Sequence, residues 1–164
     1  MLSGLPSFSP IEIPFSGQPN SAAVGDFNGD GKLDAATALG DIRVGITLGN
    51  GDGTFQAPQY FVSGWSPLSS TISIVSGDLN NDDLPDLVVG NYGAANTISV
   101  LLNTSIGGSL SFHALGSVGM GAFVAFVTLG DINGDGNLDA VAANIAADPS
   151  SSISYRIGKG DGTF

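Results

Sequence analysis

Asp26, Asn28, Asp30 and Asp34 occupy the first, third, fifth and ninth places of the stretch DFNGDGKLD. The same places recur as Asp78, Asn80, Asp82 and Asp86 in DLNNDDLPD, and as Asp131, Asn133, Asp135 and Asp139 in DINGDGNLD. Oxygen donors at this spacing suit a hard cation, because Ca2+ takes about 6 to 8 oxygen ligands and tolerates flexible geometry. Three carboxylates, one Asn amide, water and the backbone carbonyl of the seventh residue (Lys32, Leu84 or Asn137) make up such a shell. Gly31 and Gly136 at the sixth place permit a sharp turn, whereas the second copy has Asp83 there, Asn81 at the fourth place and Pro85 before its last carboxylate. A single DxNxDG is also what an ordinary solvated turn uses, since Asn, Asp and Gly all favour turns. Recurrence decides the matter: three like charges within nine residues repel one another unless a counter-ion is present. The expectation is about three Ca2+ ions per chain.

Composition agrees with that assignment of the acids. The net charge is −11, but nine of the fifteen acidic residues stand at ligand positions, so three Ca2+ ions would leave about −5. Lys32, Arg43, Arg156 and Lys159 are the only cationic residues, which leaves no footprint for nucleic acid. The absence of Cys excludes disulfides, thiolate zinc sites and cysteine nucleophiles. With 25 glycines, 42% hydrophobic and 12% charged residues in 164, the chain reads as one turn-rich globular unit with a real core. No apolar run reaches the roughly 18 residues a membrane-spanning helix needs. The start, MLSGLPSFSP, lacks the basic and apolar regions of a signal peptide, so a secreted parent would carry its signal outside this chain. A calcium-dependent fold without disulfides points to the extracellular space or cell surface.

The elements that must position the loops follow from the repeat. Loop starts at 26, 78 and 131 are 52 and 53 residues apart, a period that belongs to repeat architectures. Short apolar runs precede each loop (22–25, 72–76, 124–129) and follow it (35–39, 87–89, 140–143), and third runs lie at 42–48, 97–102 and 153–157. GNGDGTF and GKGDGTF then mark hairpins, since Asp-Gly accepts the positive φ such turns need. The run 55–62 is an outgoing strand, and the segment 140–147, the best helix candidate, falls by register on a strand. Four short strands in about 52 residues make the blade of a β-propeller. Phe55–Gly64 aligns without a gap on Phe8–Gly17, so the chain starts with the last strand of a blade, and repeats run approximately 8–54, 55–111 and 112–163. The expected fold is all-β, with three four-stranded antiparallel blades. Because propellers have about 4 to 8 blades, the third blade is completed by the N-terminal strand of another chain, giving a six-bladed ring as a homodimer.

VGDFNGDGKLD, SGDLNNDDLPD, LGDINGDGNLD and the two GDGTF hairpins resemble the FG-GAP or VCBS repeats, best known from integrin α subunits. The resemblance implies a Ca2+ ion between the first two strands of each blade, held by Asp26, Asn28, Asp30, Asp34 and their counterparts. An EF-hand is excluded, because its twelfth-position Glu is replaced by Thr37, Val89 and Ala142 in apolar runs. Enzyme chemistry lacks a constellation: His113 is the only histidine and no GxSxG elbow is present. Trp65, Tyr60, Tyr92 and Tyr155 are the aromatic candidates for contact with a glycan or protein. The expected function is a non-catalytic, calcium-stabilised module for adhesion or protein interaction. Alternatives are a calcium-dependent lectin, an accessory domain of a polysaccharide-degrading enzyme, or an excised or designed repeat fragment that oligomerises.

Overall fold

Short runs of β-branched and small apolar residues, each stopped by a Gly- and Asp-rich turn, favour strands too brief to pack alone. The computed structural model describes residues 10–64, 69–93, 96–121, 123–145 and 151–164, and among these it contains strands and no helix. Strands β1 (Ser21–Gly25), β2 (Asp34–Ala38), β3 (Arg43–Thr47) and β4 (Gln59–Val62) form an antiparallel meander. Strands β5 (Ser69–Gly77), β6 (Asp86–Gly93), β7 (Thr97–Asn103) and β8 (Phe112–Gly119) repeat it. The third sheet contains β9 (Val124–Gly130), β10 (Asp139–Asn144) and β11 (Ser152–Arg156), in the order β11-β10-β9. The protein is thus all-β, built of blade-like antiparallel sheets, and the stretch from Ala140 that had some helical character is strand β10.

Two of the three sheets have the expected four strands, and the third has three among the described residues. Residues 10–20 form no strand, so the expected N-terminal strand is not made within this chain. The reason is that a strand needs a partner edge, and no third strand lies beside this segment. It follows the first sheet instead: the Gln18 and Asn20 amides donate to the Leu39 and Ala38 carbonyls at 3.0 and 2.9 Å. Phe15 fills the space over Gly45, where an added Cβ would lie 2.8 Å from the ring. Phe8 and Trp65 lie outside the described residues.

The sheets stack through their alternating faces. β5 packs against β1 and β2 on one side and β9 on the other, so the second sheet is covered on both faces. That explains the unbroken apolar run Leu87-Val88-Val89, in which every residue is fully buried. Leu87, Val89 and Leu101 meet Ala36, Ala38, Val44 and Ile46 of the first sheet. Val88, Ile98 and Val100 meet Val124, Val127, Ala140 and Ala142 of the third. Each fully buried Val, Leu or Ile contributes about 1.5 to 3 kcal/mol relative to exposure. Phe27, inside the first loop, is also fully buried, and its ring meets Phe112 edge-on at 6.2 Å. The first and second acidic loops are therefore pinned to the core by the apolar residue that follows their first Asp, Phe27 and Leu79, whereas Ile132 in the third is exposed.

Candidate metal centres

Each loop joins the first and second strands of its sheet and is organised by its own carboxylates. Asp26 accepts the Asp30 amide at 3.0 Å on Oδ1 and the Gly31 amide at 2.7 Å on Oδ2. Asp78 does the same for Asp82 and Asp83 at 3.1 and 2.9 Å, and Asp131 for Asp135 and Gly136 at 3.2 and 2.9 Å. The fifth-position acids each accept the amide two residues on, from Lys32 to Asp30, Leu84 to Asp82 and Asn137 to Asp135, at 2.8 to 3.0 Å. These Asx-type turns curl nine residues into a tight hook. The curl needs positive φ at the fourth and sixth places, supplied by Gly29, Gly31, Gly134 and Gly136. In the second loop Asn81 and Asp83 adopt φ of 60° and 68°, so the irregular copy keeps the same backbone.

The ninth-position acids have a role that sequence reasoning missed. Asp34 is buried and uses both carboxylate oxygens as a staple: Oδ2 accepts the Phe27 amide at 2.9 Å and Oδ1 the Gly49 amide at 2.8 Å. Asp86 binds the Leu79 and Asn103 amides at 2.8 and 2.7 Å, and Asp139 the Ile132 and Gly158 amides at 2.9 and 2.8 Å. One carboxylate in each sheet thus ties the loop's second residue to the end of the third strand. The signal available was its position, immediately before an apolar strand and therefore at the core boundary.

Burial pushes the Asp86 carboxyl up to about 6 against the pull of its two amide partners, and the charges of Asp82 and Asp78 push in the same direction. Burial likewise raises Asp34, with a further push from Asp26 and Asp30. The carboxylates of a loop therefore sit in one another's field, the condition a bound cation relieves. Asp135 is held below the usual carboxylate range by the Asn133 side chain and the Asn137 amide, and so stays ionised.

As placed, the carboxylates turn to backbone amides, and among the described residues no three acidic or histidine side chains form a group that holds a metal without moving. One donor fits a cation as it stands. Asn28 and Asn133 accept the amide two residues on through Oδ1, but the buried Oδ1 of Asn80 has no hydrogen-bond partner. Its Nδ2 donates to Asp82 at 3.0 Å, which fixes the orphan oxygen's orientation within the loop. A buried acceptor without a donor costs about 1 to 3 kcal/mol, and an amide oxygen among carboxylates is a hard-cation ligand. The second loop, least regular in sequence, carries this unpartnered acceptor.

A second recurring feature was also missed. Asn91 and Asn144 lie five residues after Asp86 and Asp139, and each donates Nδ2 to serines of the next strand, Ser99 at 2.8 Å and Ser154 at 2.9 Å. Tyr60, Tyr92 and Tyr155 lie partly exposed on different sheets rather than together. His113 is exposed on β8.

No curated protein matches the chain. Residues 78–142, which run from the second loop through the third and into β10, match the family model of the FG-GAP-like repeat, and the chain carries that repeat there.

Proposed function

We propose that this protein is a non-catalytic, extracellular interaction module of the β-propeller type whose three loops bind Ca2+. The observation that carries the reading is the orphan Asn80 Oδ1, set in a loop whose acids repel one another and whose backbone is reproduced in the other two copies. Asp26, Asn28, Asp30, the Lys32 carbonyl and Asp34 would hold one ion. Asp78, Asn80, Asp82, the Leu84 carbonyl and Asp86 would hold the second, and Asp131, Asn133, Asp135, the Asn137 carbonyl and Asp139 the third. The ninth-position carboxylates can serve while keeping their amide staples, since two oxygens offer about four acceptor sites. When bound, Ca2+ supplies two positive charges to each acidic loop. The protein's own groups set the loop's shape through the hydrogen bonds already described, so the sites stabilise the module and leave its broad sheet edges and connections to meet a partner.

Binding to the folded state alone stabilises it by about 2.7 kcal/mol at a hundredfold excess over Kd. Thermal melts in millimolar Ca2+ and in EDTA are expected to differ by several degrees, with calorimetry giving about three ions per chain. Superimposable melts overturn the calcium reading.

A further inference from the structure

The first two loops are joined by buried hydrogen bonds that run without a break from one ninth-position carboxylate to the other. Asp34 Oδ2 accepts the Phe27 amide at 2.9 Å, the Phe27 carbonyl accepts Nδ2 of Asn103 at 2.9 Å, and the Asn103 amide donates to Asp86 Oδ1 at 2.7 Å. Phe27 and Asp86 are 0% exposed, and Asp34 and Asn103 1%. Out of water such bonds are stronger and polarise one another, so what fixes one end steadies the other.

Asn103 meets each loop at backbone that stands between ligand positions. In the second loop its Nδ2 also donates to the Pro85 carbonyl at 3.0 Å, and Pro85 lies between Leu84, whose carbonyl is a proposed ligand, and Asp86. In the first loop Phe27 lies between Asp26 and Asn28, both proposed ligands. The other two sheets place a glycine where Asn103 stands: Gly49 and Gly158 donate the corresponding amides to Asp34 and Asp139. From the third sheet the second loop receives a backbone amide instead, Gly162 donating to the Leu79 carbonyl at 3.0 Å. That amide reaches the partner of Asp139 only through a turn with glycines at 158, 160 and 162, where the chain is most permissive. The direct side-chain link therefore belongs to the first and second loops.

These loops also have a change to transmit. Asp26 turns its oxygens to the Asp30 and Gly31 amides, and Asp78 to the Asp82 and Asp83 amides, so the first and fifth acids must rearrange to surround a cation. The ninth carboxylates keep their staples and form the fixed end of each hook. We propose that Asn103 couples the first and second loops, so that they take up Ca2+ with positive cooperativity. Loading the second loop fixes residues 84–86, which hold Asn103 through both its backbone amide and its side chain, and Asn103 in turn holds the Phe27 carbonyl. The ligands on either side of Phe27 then have less freedom to lose when the first loop closes. Coupling of this kind is reciprocal, so the first loop favours the second by the same factor. The inference rests on the calcium reading and adds the regulation of those sites.

Asp135→Ala, which removes a ligand of the third loop, leaves the first two to titrate with Ca2+ by calorimetry. In that background Asp82→Ala isolates the first loop and Asp30→Ala the second, both changes sparing the buried staples. The constant for loading both loops is expected to exceed the product of the two single-loop constants by about 5- to 150-fold. Asn103→Gly places there the residue that the first and third sheets carry; checked for folding by circular dichroism, it should bring the factor to about one. Asn103→Ser, too short to reach Phe27, makes the same test with part of the side chain kept. A second readout is local: in the Asp30→Ala chain, Ca2+ on the second loop should slow hydrogen exchange at the Phe27 amide, and with Asn103→Gly added it should not. Loops that load independently in the parent, or a factor that survives both Asn103 changes, overturn this inference and leave the calcium reading in place. A chain that binds no Ca2+ in any loop overturns the calcium reading itself.

Discussion

Asp86 shows how one side chain can do two jobs in this molecule. Both its oxygens accept buried amides, from Leu79 and Asn103, while burial holds its carboxyl near 6. Asp86→Ala leaves two buried N–H groups unpaired, and urea unfolding in EDTA should register a loss of about 2 to 4 kcal/mol. Asp52→Ala removes an exposed acid that accepts only from Thr54, and should cost less than about 1 kcal/mol. Equal losses would mean that Asp86 is a ligand position without a staple. Asp41 titrates the other way: the Arg43 side chain, donating from Nε at 2.8 Å, and the Arg43 amide hold its carboxyl below the ordinary value. The unfolded chain then binds the proton more readily than the folded one. This contribution to stability is present above the unfolded value of about 3.9 and is lost as pH falls through the folded one. Urea midpoints at pH 3 and pH 7 should therefore differ less for Asp41→Asn than for the parent, and an unchanged difference would falsify the ion pair's part in acid unfolding.

The loop is the element in which sequence was most informative, and its backbone explains why. Left-handed φ is demanded at the same two places in all three copies, and Gly is read there directly in the first and third. An added Cβ at Gly136 meets nothing within 4 Å, so its φ of 88° alone sets the cost of substitution. Gly136→Ala should lose about 1 to 2 kcal/mol, measured by thermal melting. Gly136→Asp should lose less, because Asp83 already adopts that conformation in the second loop. If Asp proved as costly as Ala, the tolerance in the second copy would need another source. Every strand but β8 was legible as a run, since the apolar residues and turn signals are local, whereas β8 is mostly exposed and offers no apolar run. The fate of residues 10–20 was not, because pairing depends on an edge that local sequence does not contain. The staples were hidden for a related reason: Asp34, Asp86 and Asp139 read as ligands by spacing, while the amides they bind lie 7 to 19 residues away.

The three sheets behave as one body only if something couples them at the loop end as well as through the core. Asn103 is placed to do so. It occupies the position of Gly49 and Gly158, where an added Cβ would meet the Leu33 and Leu138 carbonyls. In the second sheet the larger residue is accommodated by donating from Nδ2 to the Pro85 carbonyl at 3.0 Å and across to Phe27 in the first loop at 2.9 Å. The third sheet reaches back similarly, the Gly162 amide donating to the Leu79 carbonyl at 3.0 Å. The first and second loops are thus each tied to the hairpin end of the following sheet. Repeat proteins unfold as units only while such neighbour terms exceed the differences between repeats. Asn103→Ala deletes one tie, strands two buried carbonyls and removes the acceptor of the Ser105 amide. The first sheet should then open before the other two. Urea unfolding is expected to broaden, with a smaller apparent m-value than the parent, and hydrogen exchange at Ala36 and Val44 should run ahead of that at Val88 and Val100. A sharp transition with the parent's m-value would place the coupling in the apolar contacts between sheets and leave the Asn103 tie a local one.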